Sequence, residues 1–171
     1  MRNNSALVLC GLLACLTVAP ASARAETPAV PAASDPVMVY DGAWTVTPAK
    51  SPPVHLRNRC FQGQAFVVCE QALNGKVLAL LTFRLVDSGP SGRDYMTLPI
   101  QVGLEAPKPT PLHIDGDHWT YTFDEIESGK KTKGRVLNTF KDRDHLHYEI
   151  QSSADGKVWS TTASGDEVRD R

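Results

Sequence analysis

The stretch DRDHLHYEIQSSADGKVW, Asp142 to Trp159, decides the fold. Leu146, Tyr148 and Ile150 alternate with His145, His147, Glu149 and Gln151, the period of two that a half-buried strand imposes. Ser153-Ala-Asp-Gly-Lys157 then reads as a turn, because Asp-Gly supplies the positive φ angles of a tight hairpin. Val158 to Thr162 reads as the returning partner strand. The preceding segments have the same construction, so the chain downstream of its N-terminal region reads as one antiparallel β meander.

Met38 to Thr47 reads as the first strand, with Tyr40, Gly42, Trp44 and Val46 on one face, and Pro48 to Pro53 breaks it. Val54 to Phe61 follows, with Val54, Leu56 and Cys60 on one face and His55, Arg57 and Arg59 on the other. Gln62-Gly63-Gln64 turns the chain into Ala65 to Leu73, and Asn74-Gly75 is the strongest hairpin signal present. Lys76 to Val86 is apolar on both faces at its start. It reads as a strand covered on both sides, or as an edge hidden by a partner or by the N-terminal segment, with a short helix as the alternative.

Asp87 to Gly92 reads as a loop, and Arg93 to Val102 as an edge or bulged strand because of Pro99. Glu105 to Pro111 is a Pro-rich connection expected to form a loop at the barrel mouth. An Asp115-Gly116 turn leads into a strand carrying Trp119, Tyr121 and Phe123 on one face. Glu127 to Lys131 turns into Thr132 to Lys141, where Val136 and Phe140 alternate with Arg135, Leu137 and Thr139. The pattern amounts to nine or ten antiparallel strands and no helix beyond two turns. Closure removes exposed edges, so an all-β, antiparallel up-and-down barrel is expected over residues 37–168 in preference to a sandwich. Such a barrel has room for one small ligand or a filled interior.

The N-terminal region carries different information. Arg2 is a short basic segment, Ala6 to Val18 is apolar, and Ala21-Ser22-Ala23 is a small-residue cleavage pattern. Residues 1–23 therefore read as a secretory signal peptide, too short before Pro20 to span a membrane, and the location expected is periplasmic or secreted. Leu12-Leu13-Ala14-Cys15 resembles a lipoprotein box, so a membrane anchor enters only if Cys15 is lipidated. Residues 24–36 (RAETPAVPAASDP) read as an extended Pro/Ala linker.

Removing residues 1–23, whose one charged side chain is Arg2, takes the formal net charge from −1 to −2. That balance gives no electrostatic reason to expect nucleic acid or an anionic membrane as partner. Cys60 and Cys69 are the cysteines left, and two thiols in an exported chain are expected to pair. A turn near Gln64 and Ala65 sets them opposite one another. Closing so short a loop is worth roughly 2–3 kcal/mol on the chain-entropy estimate.

Gly42-Ala43-Trp44 resembles the Gly-x-Trp of lipocalins and related calycins, and the chain resembles a secreted, lipocalin-like bacterial domain of uncharacterised function. Ser153, Asp155, Gly156, Lys157 and Trp159, in the order Ser-x-Asp-Gly-Lys-x-Trp, add to the resemblance. It implies a calycin-type barrel with Trp44 closing one end under a stacked late-strand arginine. By sequence, Arg169 and Arg171 fall in a polar tail.

Chemistry-bearing sets are few. His145, His147 and Glu149 share a face and resemble half of a zinc site, with Asp142, Asp144, His113 and His118 as possible further ligands. A solvated outer wall is the preferred reading, because inward Leu146, Tyr148 and Ile150 leave the histidines facing water, and neither metal nor cofactor is expected. There is no Gly-x-Ser-x-Gly elbow and no Gly-rich phosphate loop, which counts against an enzyme. Trp44, Tyr95, Trp119, Tyr121, Phe123, Phe140 and Tyr148 are the residues expected to line an interior site. A small apolar or amphipathic ligand is expected to enter between the loops 87–92 and 105–111. The alternative is an envelope-associated interaction or inhibitor-like protein with a filled core. A cavity or a packed interior separates the two.

Overall fold

The computed structural model describes residues 34–171 apart from 102, 104–107 and 128. The expected signal peptide, Cys15 and residues 24–33 of the expected linker lie outside the described residues. Ten strands follow a one-turn 3₁₀ helix, Pro36–Tyr40: β1 Gly42–Pro48, β2 Val54–Gln62, β3 Phe66–Leu73, β4 Lys76–Gly89, β5 Gly92–Gln101, β6 Thr110–Asp115, β7 His118–Glu127, β8 Lys130–Asp142, β9 His145–Ser153 and β10 Ser160–Arg169. Each pairs antiparallel with the next, and β10 returns to β1, closing the barrel. The expected up-and-down barrel is therefore present, at the upper strand count.

The faces follow the two-residue period. On β9, Leu146 is buried and His145 exposed; on β1, Trp44 and Val46 are buried. Asn74 at φ 47° and Gly75 at φ 80° form the two-residue turn between β3 and β4, with Leu73 opposite Lys76. Cys60 faces Cys69 across β2 and β3, and the two form a disulfide. Replacing both by serine is expected to lower stability by about 2–3 kcal/mol in denaturant unfolding. Two alkylatable thiols in the non-reduced protein would contradict the pairing.

Several local expectations are corrected. The chain before Gly42 is helical rather than a strand, because Pro36 presets φ and the Asp35 carboxylate accepts from the Val37 amide at 3.0 Å. Asp35 and Pro36, read as linker, thus belong to the ordered domain, and Val37 is fully buried. β10 starts at Ser160 rather than Val158. Asp155 accepts from the Lys157 and Val158 amides, Ser153 Oγ accepts from the Gly156 amide, and only Gly156 there has positive φ. This is a wide Asx-type loop rather than a two-residue hairpin.

Ser88 pairs with Arg93 and Gly89 with Gly92, so the segment 87–92 is mostly a tight hairpin. Pro111 lies within β6, opposite Met96; the β6–β7 register starts only at Leu112, which leaves the proline free of a ladder bond on that side. Pro99 lies beyond the part of β5 that pairs with β6, at a local edge, as its ring requires. β4 is covered on neither of the expected terms. β3 and β5 flank it, and its outward Leu78 and Leu80 remain exposed at 38% and 41%.

The topology gives the barrel two unlike ends. The 3₁₀ helix, the turns after β2, β4, β6 and β8, and the C-terminus share one end. The connections after β1, β3, β5, β7 and β9 share the other. At the helix end Val37, Trp44, Phe83, Tyr95, Leu112, Ile114, Trp119, Phe140 and Leu146 form one packed cluster. Trp119 lies 4.9 Å from Phe140 and 5.1 Å, edge to face, from Tyr40, measured between ring centres. This end is a plug.

Candidate functional site

Inside the barrel, beyond the plug, lies a cavity of about 240 Å³. Val46, Leu56, Leu81, Val136 and Ile150 make its apolar wall, and Asn58, Gln71, Asn138, Tyr40, Tyr121, Tyr148 and Glu167 supply polar groups. Most come from inward positions of mid-barrel strands, and Tyr40 hangs from the end of the helix. The polar side chains are partly connected. Asn138 donates to the Tyr40 hydroxyl at 2.6 Å, the Tyr40 and Tyr121 hydroxyls are 3.4 Å apart, and Gln71 donates to Asn58 at 3.4 Å.

Two glycines make room for inward side chains. A Cβ on Gly165 would sit 2.7 Å from the Tyr148 hydroxyl and 2.6 Å from the Thr47 carbonyl oxygen. One on Gly134 would collide with the Phe123 ring. The small residues in β8 and β10 therefore determine where these rings lie.

Glu167 is the one carboxylate on the cavity wall. β10 presents it inward because Val46 of β1 and Leu146 of β9, its register partners, both face the interior. It has no hydrogen-bond or ion-pair partner among the described residues. Burial pushes its carboxyl up to about 7. Burial also raises Tyr40 and Tyr148, raises Tyr121 to about 12, and in all three the Glu167 charge adds to the shift.

Of the seven aromatics expected to line a site, Tyr121 and Tyr148 do. Trp44, Tyr95, Trp119 and Phe140 are packed into the plug instead. Tyr95 donates to the Asp35 carboxylate at 2.9 Å, tying β5 to the helix cap. Phe123 borders a separate, open depression of about 900 Å³ at the far end, with Lys108, Asp124, Lys131 and Trp159. Of the loops between which entry was expected, residues 105–107 lie outside the described residues, and residues 87–92 and 108–111 stand at opposite ends of the barrel.

Trp44 and Arg169 form the pair that the calycin resemblance implies, although Arg169 read as tail. Arg169 is the last residue of β10, directly opposite Trp44, with its guanidinium carbon 4.2 Å from the ring centre. Its Nε donates to Asp144 at 3.0 Å, and its other nitrogens donate to the carbonyls of Val39 and Asp41. The Trp44 indole donates to the Tyr40 carbonyl at 3.0 Å.

The histidine set lies on the outer wall. His147 Nδ1 pairs with Asp166 at 3.0 Å, His145 Nδ1 with Asp142 at 2.8 Å, and Gln151 donates to Glu149. His113 and His118 meet Asp94 and Asp117 on other strands, and no cluster of three or more metal-ligating side chains forms among the described residues. His147→Ala is expected to change stability by less than about 0.5 kcal/mol, and Leu146→Ala on the opposite face to cost about 2–5 kcal/mol. Equal losses in chemical denaturation would mean that β9 is turned the other way.

Sequence reasoning missed Asn58, Gln71, Asn138 and Glu167. The available signal was an inverted one: on β10 the apolar Val168 faces out at 42% exposure while its neighbour Glu167 faces in.

No protein-family model matches the chain, nor does any curated protein sequence. Among solved structures, the crystal structure of Rv2717c from M. tuberculosis aligns with 81% of this chain and 100% of its own length, at 15% identity and a TM-score of 0.45.

Proposed function

We propose that the chain is an exported, non-enzymatic binding protein that holds a small amphipathic ligand inside its barrel. The cavity carries this reading: about 240 Å³, an apolar wall, and polar groups converging from several strands. Its volume lies between the roughly 150 Å³ that admits benzene and the roughly 300 Å³ floor of ordinary ligand sites. A compact ring fits that scale better than a long acyl chain. The Trp44–Arg169 pair supports a calycin-like identity, though ten strands exceed the eight of lipocalins. Export is supported by the N-terminal sequence and by the Cys60–Cys69 disulfide. The non-enzymatic reading rests on the sequence, which has no nucleophile elbow or phosphate loop.

Native mass spectrometry of protein purified from its own envelope is expected to show a bound small molecule. Adding that molecule back should raise the melting temperature by mass action. It should also shift the fluorescence of Trp119, whose ring packs on Tyr40 at the cavity wall. A bare mass, together with a melting temperature unmoved by a panel of small amphiphiles, would overturn the reading.

One observation favours the interaction-protein alternative. Leu80 and Ile100 are direct cross-strand partners on the outer wall of β4 and β5, exposed at 41% and 43% with Leu78 nearby. Pull-down partners that are lost with Leu80→Asp and retained with Glu167→Gln would move the function to that face.

A further inference from the structure

We infer that the cavity is built for a small organic cation, an ammonium or guanidinium group carried on a compact apolar body. This rests on the ligand-binding reading above and narrows it to a charge class.

The argument starts from Glu167. A carboxylate on an interior wall loses hydration, and it is tolerated only when something returns the lost interaction. Elsewhere in the barrel, several acids have a partner that holds them. Asp166 meets His147, Asp144 meets Arg169, Asp142 meets His145, and Asp35 takes the Tyr95 hydroxyl with Arg93 beside it. Glu167 has no such partner among the described residues, and no Lys, Arg or His lines its cavity. An apolar residue there would leave the barrel more stable. The vacant interaction is therefore one that a ligand completes.

The rest of the wall agrees on sign. Tyr40, Tyr121 and Tyr148 border the same space, and each feels the Glu167 charge. Phenol rings present negative faces, and their oxygens accept from N–H donors. Asn58 and Gln71 already engage each other, and Asn138 engages Tyr40. What remains is a carboxylate flanked by rings, an environment that favours cations and repels anions. A neutral donor would satisfy one lone pair of Glu167 and leave its charge uncompensated.

The titratable or polar groups that share the cavity wall with Glu167 are Tyr40 from the helix, Asn58 from β2, Gln71 from β3, Tyr121 from β7, Asn138 from β8 and Tyr148 from β9, with Val46 and Leu146 beside it on β1 and β9. Of these, only Glu167 titrates near neutrality. Cation affinity should accordingly fall on acidification through about pH 7, as the carboxyl takes up its proton.

The test compares benzylammonium, benzyl alcohol and benzoate, three probes of one size, by calorimetry on the full exported chain at about pH 8. Benzylammonium is expected to bind about tenfold or more tighter than benzyl alcohol, with benzoate weakest. Glu167→Gln should erase the preference of ammonium over alcohol. In the wild-type protein, benzylammonium should also lower the titration midpoint of the Glu167 carboxyl followed by carbon-13 resonance, and the alcohol should not. That readout holds even if the variant misfolds. Alcohol binding as tightly as ammonium, or an unmoved Glu167 titration, would overturn the cation inference and leave ligand binding standing. Binding of none of the three at millimolar concentration would overturn both.

Discussion

Replacing Trp44 by alanine is expected to lower the unfolding free energy by about 3–5 kcal/mol, the range for emptying a core aromatic site. Trp44 is fully buried and joins three separate elements. Its indole N–H holds the Tyr40 carbonyl at the end of the helix, and its own strand pairs with β2 and β10. Its face carries the Arg169 guanidinium, which in turn binds the Asp144 turn and the Val39 and Asp41 carbonyls. Truncation thus leaves a void and loosens both the plug and the β1–β10 seam. Trp159 provides the contrast. It lies outside the strands at the far end, under Arg135 at 4.1 Å, where such a half-buried cation–π pair contributes about 0.5–2 kcal/mol. Guanidinium unfolding of both alanine variants, with m-values compared, checks the difference. A Trp44→Ala loss below about 1.5 kcal/mol would mean that the seam does not depend on this residue.

That dependence was half legible. Gly42-Ala43-Trp44 announces itself as a motif, but its partner lies in STTASGDEVR, a run with too few apolar residues to register as a strand. Closure required β10 to pair with both β1 and β9, and ladder hydrogen bonds ignore side-chain polarity. The alternation in β7 and β9 was readable because one face packs in the barrel and the other meets water. The helix before β1 was not, since Asp35-Pro36 carries the same signal in a linker as at a helix start.

The cavity was the least legible part, and for one physical reason. Binary patterning places polar residues outside, whereas a binding cavity turns some of them inward. Asn58, Asn138 and Glu167 break the pattern at inward positions of β2, β8 and β10. The aromatics, chosen by their bulk, mostly went to the plug, where bulk is what packing needs. Tyr121 and Tyr148 reached the cavity, and both carry a hydroxyl that a fully apolar core would have to satisfy.

A second large effect is expected in the pH dependence of stability. The ordinary glutamate value is 4.5, and burial pushes Glu167 up to about 7 in the folded chain. The folded state therefore holds this proton more tightly than the unfolded state. Its contribution is fully present below pH 4.5 and is lost as pH rises through about 7, where the half-buried carboxyl must ionise. At about 1.4 kcal/mol per pH unit the loss is at most about 3.5 kcal/mol, and relaxation around the charge will reduce it. The acid side has the opposite slope. Asp124 beside Lys131, Asp142 under the Asp144 amide and Asp155 under the Lys157 amide are all held below the usual carboxylate range. Their contributions are present above that range and fade as pH falls through it. Stability should consequently peak at about pH 4 to 5, and Glu167→Gln should remove the decline above it while leaving the acid limb intact. Urea midpoints taken across both limbs decide it. A profile flat from about pH 5 to 8, or a decline that persists in Glu167→Gln, would show that the carboxyl is not buried in this way. The same linkage gives a cationic ligand its largest stabilising effect at the alkaline end, where it neutralises the charge that the empty barrel holds alone.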